Sequence, residues 1–101
     1  MTLANLAILA RLEAKPEKAA QVENFLQNAL TLAQQENDTT TWFAIKLGET
    51  SFAIFDTFEG DRGRESHLNG EIAKTLLAKA DELLSRPPEI IKAKVIAAKL
   101  P

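Results

Sequence analysis

The sequence predicts one α+β domain over residues 1-101: a ferredoxin-like βαββαβ sandwich, with a four-stranded antiparallel sheet and two helices on one face. Three observations carry this prediction. The hydrophobic period switches between two and about 3.6 in the order strand, helix, strand, strand, helix, strand. A short Gly-containing connection joins the two middle strands as a hairpin does. The strands are apolar on both faces, whereas a sheet wet on one side alternates cleanly.

Residues 5 to 14 alternate, with Leu6, Ile8, Ala10 and Leu12 on one face and Ala7, Leu9, Arg11 and Glu13 on the other. The stretch "KPEKAAQVENFLQNALTLAQQEN" then turns helical. Pro16 suits a first turn, where its missing N–H costs nothing, and Glu17 complements the helix dipole. Val22, Phe25, Leu26, Ala29, Leu30 and Ala33 form its apolar stripe, and "ENDTT" ends it. "TTWFAIKL" and "SFAIFDTF" are the next two strands, joined by "GET", where Gly48 is expected to supply a positive φ.

"EGDRGRESHLNG" reads as a loop followed by a short helix broken at Gly70. "EIAKTLLAKADELL" is helical, with Ile72, Ala73, Leu76, Leu77, Ala80, Leu83 and Leu84 on one stripe, and the double proline of "SRPPE" stops it. "EIIKAKVIAAKL" is read as the last strand.

Two helices cover one side of such a sheet. The second side would carry Ala53 and Phe55 against Phe52, Ile54 and Phe58, with the same two-sidedness at Trp42, Phe43, Ala44 and Ile45 and at Ile90 and Ile91. A patch of this size exceeds the few hundred Å² that monomers tolerate. A homodimer packed through the sheet face is therefore expected.

The composition is ordinary for a globular chain, 46% hydrophobic and 26% charged, with a formal net charge of -2. Scattered lysines and arginines give no footprint for nucleic acid, and no apolar run approaches the roughly 20 residues that span a membrane. "MTLANLAILARLEA" lacks the basic start of a signal peptide and is interrupted by Arg11 and Glu13, so a cytoplasmic location is expected. The absence of cysteine excludes disulfides and thiolate metal sites, and a single histidine argues against a dedicated transition-metal site.

Candidate chemistry gathers around that histidine, His67 in "GRESHLNG", with Arg64 one helical turn earlier and Asn69 just beyond. Such a set could polarise or deprotonate a phenolic or enolic substrate; the plainer reading is a half-exposed histidine capping the short helix. Asp56 lies in phase with Phe52, Ile54 and Phe58, so it needs a hydrogen bond, a cation such as Arg11, or a raised pKa that would make it a general base. Trp42 and Phe43 could line a flat pocket or simply pack, and Asn5 near the first strand is a further donor. No phosphate-cradling loop, dinucleotide fingerprint or nucleophile elbow occurs.

"ARLEAKPEKAAQVENFLQNAL", "TTWFAIKL" and "FAIFDTFEGDRGRESHLNG" together resemble the antibiotic biosynthesis monooxygenase family of dimeric α+β barrels, over nearly the whole chain. The resemblance implies a cavity between sheet and helices in which a quinol-like or polyphenolic small molecule is deprotonated and reacts with O2, with no metal, flavin or haem. By position, His67 matches the family's histidine, Asp56 its third-strand acid, and Phe58 a frequent tryptophan; Trp42 could stack on a planar substrate. Many quinol-oxidising relatives carry a second histidine five positions after the first, where this chain has Ile72. The haem-degrading branch has its iron-binding histidine near Leu77 and an asparagine near Ile8, and both positions are apolar here, so haem degradation is not expected. Two other functions fit the same outline: a non-catalytic ligand-binding or stress-response barrel, and a lactone-isomerase-like enzyme working with His67, Asp56 and Glu65.

Overall fold

A computed structural model of the protein describes residues 3–101; Met1 and Thr2, which open the stretch weighed above as a signal peptide, lie outside the described residues. The elements are β1 (Leu6–Glu13), a 3-10 turn (Pro16–Lys18), α1 (Ala19–Gln34), β2 (Thr39–Lys46), β3 (Ser51–Phe58), α2 (Asp61–Leu68), α3 (Glu71–Leu83) and β4 (Glu89–Lys94). They build one antiparallel sheet in the order β2-β3-β1-β4. The predicted ferredoxin-like α+β fold is the observed one.

Register fixes which side chains meet the helices. Ile8 pairs with Asp56, Ala10 with Ile54 and Leu12 with Phe52, while Trp42 pairs with Asp56 from the other side. This face packs on Val22 and Leu26 of α1 and on Leu76 and Leu83 of α3 in one core. Ala29, Ala33 and Ile72 form a smaller cluster, and Trp42 touches both. Burial of these apolar faces, at roughly 25 cal/mol per Å², is what holds the helices down. Leu30 and Leu77 were expected on the buried stripes, yet they are 46% and 63% exposed.

Three local expectations are corrected. No described glycine has a positive φ, Gly48 included. The β2–β3 connection is a wider loop in which the N–H groups of Leu47 and Gly48 both donate to the Ser51 carbonyl, at 2.8 and 3.3 Å. Such loops are commonly built on a type I turn, which needs no left-handed residue. The segment after β3 is helical almost throughout, and Gly63 lets α2 sit directly on Asp38; Gly70 does separate α2 from α3. The last strand ends at Lys94, not near Leu100. Its partner β1 begins at Leu6, opposite Lys94, and only the Val95 N–H bond to the Asn5 carbonyl, 2.9 Å, continues the ladder.

The face away from the helices carries Phe43, Ile45 and Ile91, which are 55%, 44% and 39% exposed. Arg11 is also on this face, 4.0 Å from Glu89. It therefore cannot be the cation for Asp56, which points the opposite way.

Candidate active site

β3 is an inner strand, and every second side chain on it faces the helices. Phe52, Ile54 and Phe58 satisfy that environment and Asp56 does not; its side chain is 0% exposed. α2 supplies the answer. Its last turn brings His67 over the end of β3, placing Nε2 2.8 Å from Asp56 Oδ2. The ring's other nitrogen, Nδ1, lies 2.6 Å from Oε1 of Glu36, in the connection between α1 and β2. The same oxygen accepts a 2.7 Å hydrogen bond from Thr39 Oγ1. Phe58 closes the ring's flank, with centroids 5.5 Å apart.

The imidazole is thus held between two carboxylates. Burial opposes its charged form, but Asp56 and then Glu36 outweigh burial and raise its pKa to about 9. At neutral pH the ring is an imidazolium, with an acid close to each of its nitrogens. Its place in the last turn of α2 favours the same charge. Burial pushes the Asp56 carboxyl above its ordinary value, against the pull of His67. The 2.8 Å contact is an ion pair, since neither Asp56 oxygen receives a well-directed hydrogen bond. Among the described residues Oδ1 has no side-chain hydrogen-bond partner, and Trp42 Nε1 is another buried polar atom without one. Trp42 and Asp56 are cross-strand neighbours on the helix face.

The remaining candidates lie in other settings. Arg64 donates 3.1 Å bonds to the Ala93 carbonyl and to Asp61, and reaches the Ala7 carbonyl at 3.5 Å, so its guanidinium faces the paired strands β1 and β4 rather than the His67 ring. Asn69 follows α2, and its Nδ2 donates to the Glu65 carbonyl at 2.8 Å. Asn5 Nδ2 donates to the Glu59 carbonyl at 2.9 Å, tying the start of β1 to the end of β3. Between α1 and the edge of β2 runs an open groove of about 530 Å³, lined by Leu26, Leu30, Trp42, Phe43 and Lys46 among others. Lys46 and Glu23 pair across it at 2.9 Å. Among the described residues, no three or more His, Cys, Asp or Glu side chains form a group that could hold a metal ion.

Glu36 is the residue the sequence did not disclose. The one signal was indirect: Asp56, in an apolar phase, had to have a polar neighbour, and that neighbour, the single histidine, has a second nitrogen that a second acid holds. Nothing in "QQENDTT" distinguishes Glu36 from the chain's other acidic residues.

This is the α+β fold of the antibiotic biosynthesis monooxygenases. A "putative antibiotic biosynthesis monooxygenase" of Deinococcus radiodurans superposes with a TM-score of 0.81 at 16% identity, over 94% of this chain and 96% of that one. PA3566 of Pseudomonas aeruginosa does so at 0.78 and 19%, over 93% and 96%. At those identities the likeness is one of fold. NE2512 of Nitrosomonas europaea, a protein of unknown function, is 50% identical, with a TM-score of 0.95 over 98% of this chain and 96% of its own. The chain belongs to the NE2512 family. No protein-family model and no curated protein matches it.

Proposed function

We infer that the protein is a small cofactor-independent monooxygenase acting on a quinol-like or polyphenolic molecule. The observation that carries this reading is the pair of unpartnered polar atoms, Asp56 Oδ1 and Trp42 Nε1, on facing positions of β3 and β2 inside an apolar interface. Buried polar atoms are ordinarily satisfied, and an acceptor beside a donor suits a hydroxyl group. A phenol entering along the α1–β2 groove would donate to Asp56 and accept from the indole.

Asp56 is the base in this reading. His67 has both nitrogens engaged and is already protonated, so it acts as the fixed counter-ion that keeps a buried carboxylate available. The raised pKa of Asp56 brings it closer to that of a phenol, which improves proton transfer. The resulting phenolate supplies the electrons. It combines with O2 at a ring carbon, the C–H of that carbon is lost, and the O–O bond breaks. One oxygen stays as a carbonyl and the other leaves as water, so a phenol becomes a quinone and no external reductant is consumed. The homodimer belongs to the same proposal: exposed Phe43, Ile45 and Ile91 lie on the sheet face that a second copy would cover.

Oxygen uptake with a panel of hydroquinones and polyphenols, together with transfer of labelled oxygen from O2 into the product, tests the reading. Asp56→Asn is expected to lower kcat by about 100-fold or more, the usual worth of a positioned base. Uptake that is absent across the panel, or unchanged in Asp56→Asn, overturns it. The complete burial of Asp56 favours one competing reading, a binding protein without turnover. That reading predicts that planar polyphenols raise Tm while oxygen consumption stays at the background rate.

A further inference from the structure

We propose that Glu36 is a positioning residue of this site, clamping the His67 ring through Nδ1 so that it remains a cation beside Asp56; the inference rests on the reading that Asp56 is the base. The geometry is that of a built clamp rather than a chance surface contact. Side-chain exposure falls along the chain of groups from 21% at Glu36 to 7% at His67 and 0% at Asp56. Oε1 of Glu36 is fixed twice, by Nδ1 at 2.6 Å and by the Thr39 hydroxyl at 2.7 Å. The three side chains come from three separate parts of the chain: the α1–β2 connection, strand β3 and the last turn of α2. Gly70, which follows α2, brings the next turn close to the clamp: a Cβ there would crowd the His67 carbonyl at 3.3 Å and meet Glu36 Oε2 at ordinary contact distance, 3.5 Å.

A buried carboxylate without a cation beside it would be protonated and useless as a base. A neutral imidazole presenting an unprotonated Nε2 to Asp56 would place two acceptors against each other. Fixing Nδ1–H on an acid removes that choice, because the ring then gains most from carrying its second proton on Nε2, toward Asp56. The titratable groups that face the ring are Asp56 from β3 and Glu36 from the α1–β2 connection. Arg64, on the ring's own helix, is occupied by Asp61 and the Ala93 carbonyl.

The test compares Glu36→Gln, which keeps the shape and an acceptor but removes the charge, with Glu36→Asp, which keeps the charge. The readout independent of turnover is the NMR titration of the His67 ring. Its midpoint is expected to fall by about one unit or more in Glu36→Gln and to recover at least in part in Glu36→Asp. In turnover, the alkaline loss of kcat moves to lower pH by the same amount with KM unchanged, about threefold in kcat at about pH 8.5 for a one-unit displacement. Thr39→Val, which removes the brace from the same oxygen, is expected to shift the midpoint in the same direction and by less. A His67 titration identical in wild type and Glu36→Gln, with both folded by their amide spectra, overturns the proposal. If the NMR midpoint falls while no polyphenol is turned over by wild type, the clamp stands and the monooxygenase reading is the one that fails.

Discussion

Asp56 and His67 stand 2.8 Å apart across the interface between β3 and α2, and the aspartate is wholly buried. Two charges in such a place are weak evidence of stability, since the cost of removing them from water rivals their attraction. Breaking the pair is another matter. His67→Leu leaves a buried carboxylate with no cation and is expected to cost about 3–5 kcal/mol, whereas replacing both residues with leucine should recover most of that loss. Urea unfolding of His67→Leu, Asp56→Leu and the double variant measures this. A double variant no more stable than His67→Leu would show that the carboxylate is not strained by its surroundings.

The same pair sets how stability changes with pH. The folded pKa of His67 is raised from 6.5 to about 9, so its contribution is fully present below pH 6.5 and is lost as pH rises through 9. Asp56, also raised, acts in the same direction at lower pH, because its protonated form is the one the fold prefers. Glu13 opposes them at the acid end: hydrogen bonds from Ser51 and Thr50 lower its pKa, and that support disappears as the carboxylate is protonated. Tm should therefore decline between about pH 6.5 and 9, with a shallower slope in the Asp56→Leu/His67→Leu variant. A wild-type Tm that rises across this window would contradict the charge state assigned to the ring.

What the sequence made legible follows from what determines each feature. Period-two and period-3.6 patterning is local, and it marked all four strands and the two main helices. The off-pattern carboxylate and the lone histidine were conspicuous for the same reason. Their pairing was not legible, because His67 reaches Asp56 only through the docking angle of α2, and that angle depends on Gly63 meeting Asp38. Arg11 was an equally reasonable partner for Asp56 until strand parity placed it on the opposite face. Glu36 could not be identified at all, since its role arises where three chain segments converge. The stop of β4 at Lys94 likewise depends on where the partner strand begins.

Gly63 supplies a direct test of that docking angle. A Cβ at this position would lie 2.9 Å from both the Cβ and the carbonyl oxygen of Asp38, and a backbone oxygen has little freedom to yield. Gly63→Ala should destabilise by about 1–3 kcal/mol even though alanine is the better helix former. It should also loosen the Glu36–His67 contact, since Asp38 follows Glu36 closely in the chain. Gly60→Ala is the control, because nothing lies within 4 Å of a Cβ there. Equal stability of the two variants would remove the steric argument.

The exposed sheet face gives an assembly prediction. Phe43 and Ile45 are adjacent same-face positions on β2, at 55% and 44% exposure. A twofold interface through this face would repeat both, and a stable one buries about 800 Å² per partner. Sedimentation should find wild type as a dimer and Phe43→Lys/Ile45→Lys as a folded monomer. Leu77→Lys, on the helix side at 63% exposure, should leave the assembly unchanged. Monomeric wild type at micromolar concentration would dispose of the dimer.

Trp42 separates a role in packing from a role in binding. Its ring bridges the two apolar clusters, which Phe would do nearly as well, but its Nε1 is buried without an acceptor. An unsatisfied buried donor costs about 1–3 kcal/mol, and losing part of the ring's area costs something of similar size. Trp42→Phe should therefore leave the stability of the ligand-free protein within about 1 kcal/mol of wild type. If Nε1 donates to a bound phenol, the same change should weaken polyphenol binding by about 5- to 10-fold, as expected for one hydrogen bond. Thermal unfolding with and without ligand reads both effects on one sample. Lost stability with undiminished ligand protection would mark Trp42 as core alone, and the opposing pair of polar atoms would no longer define a substrate site.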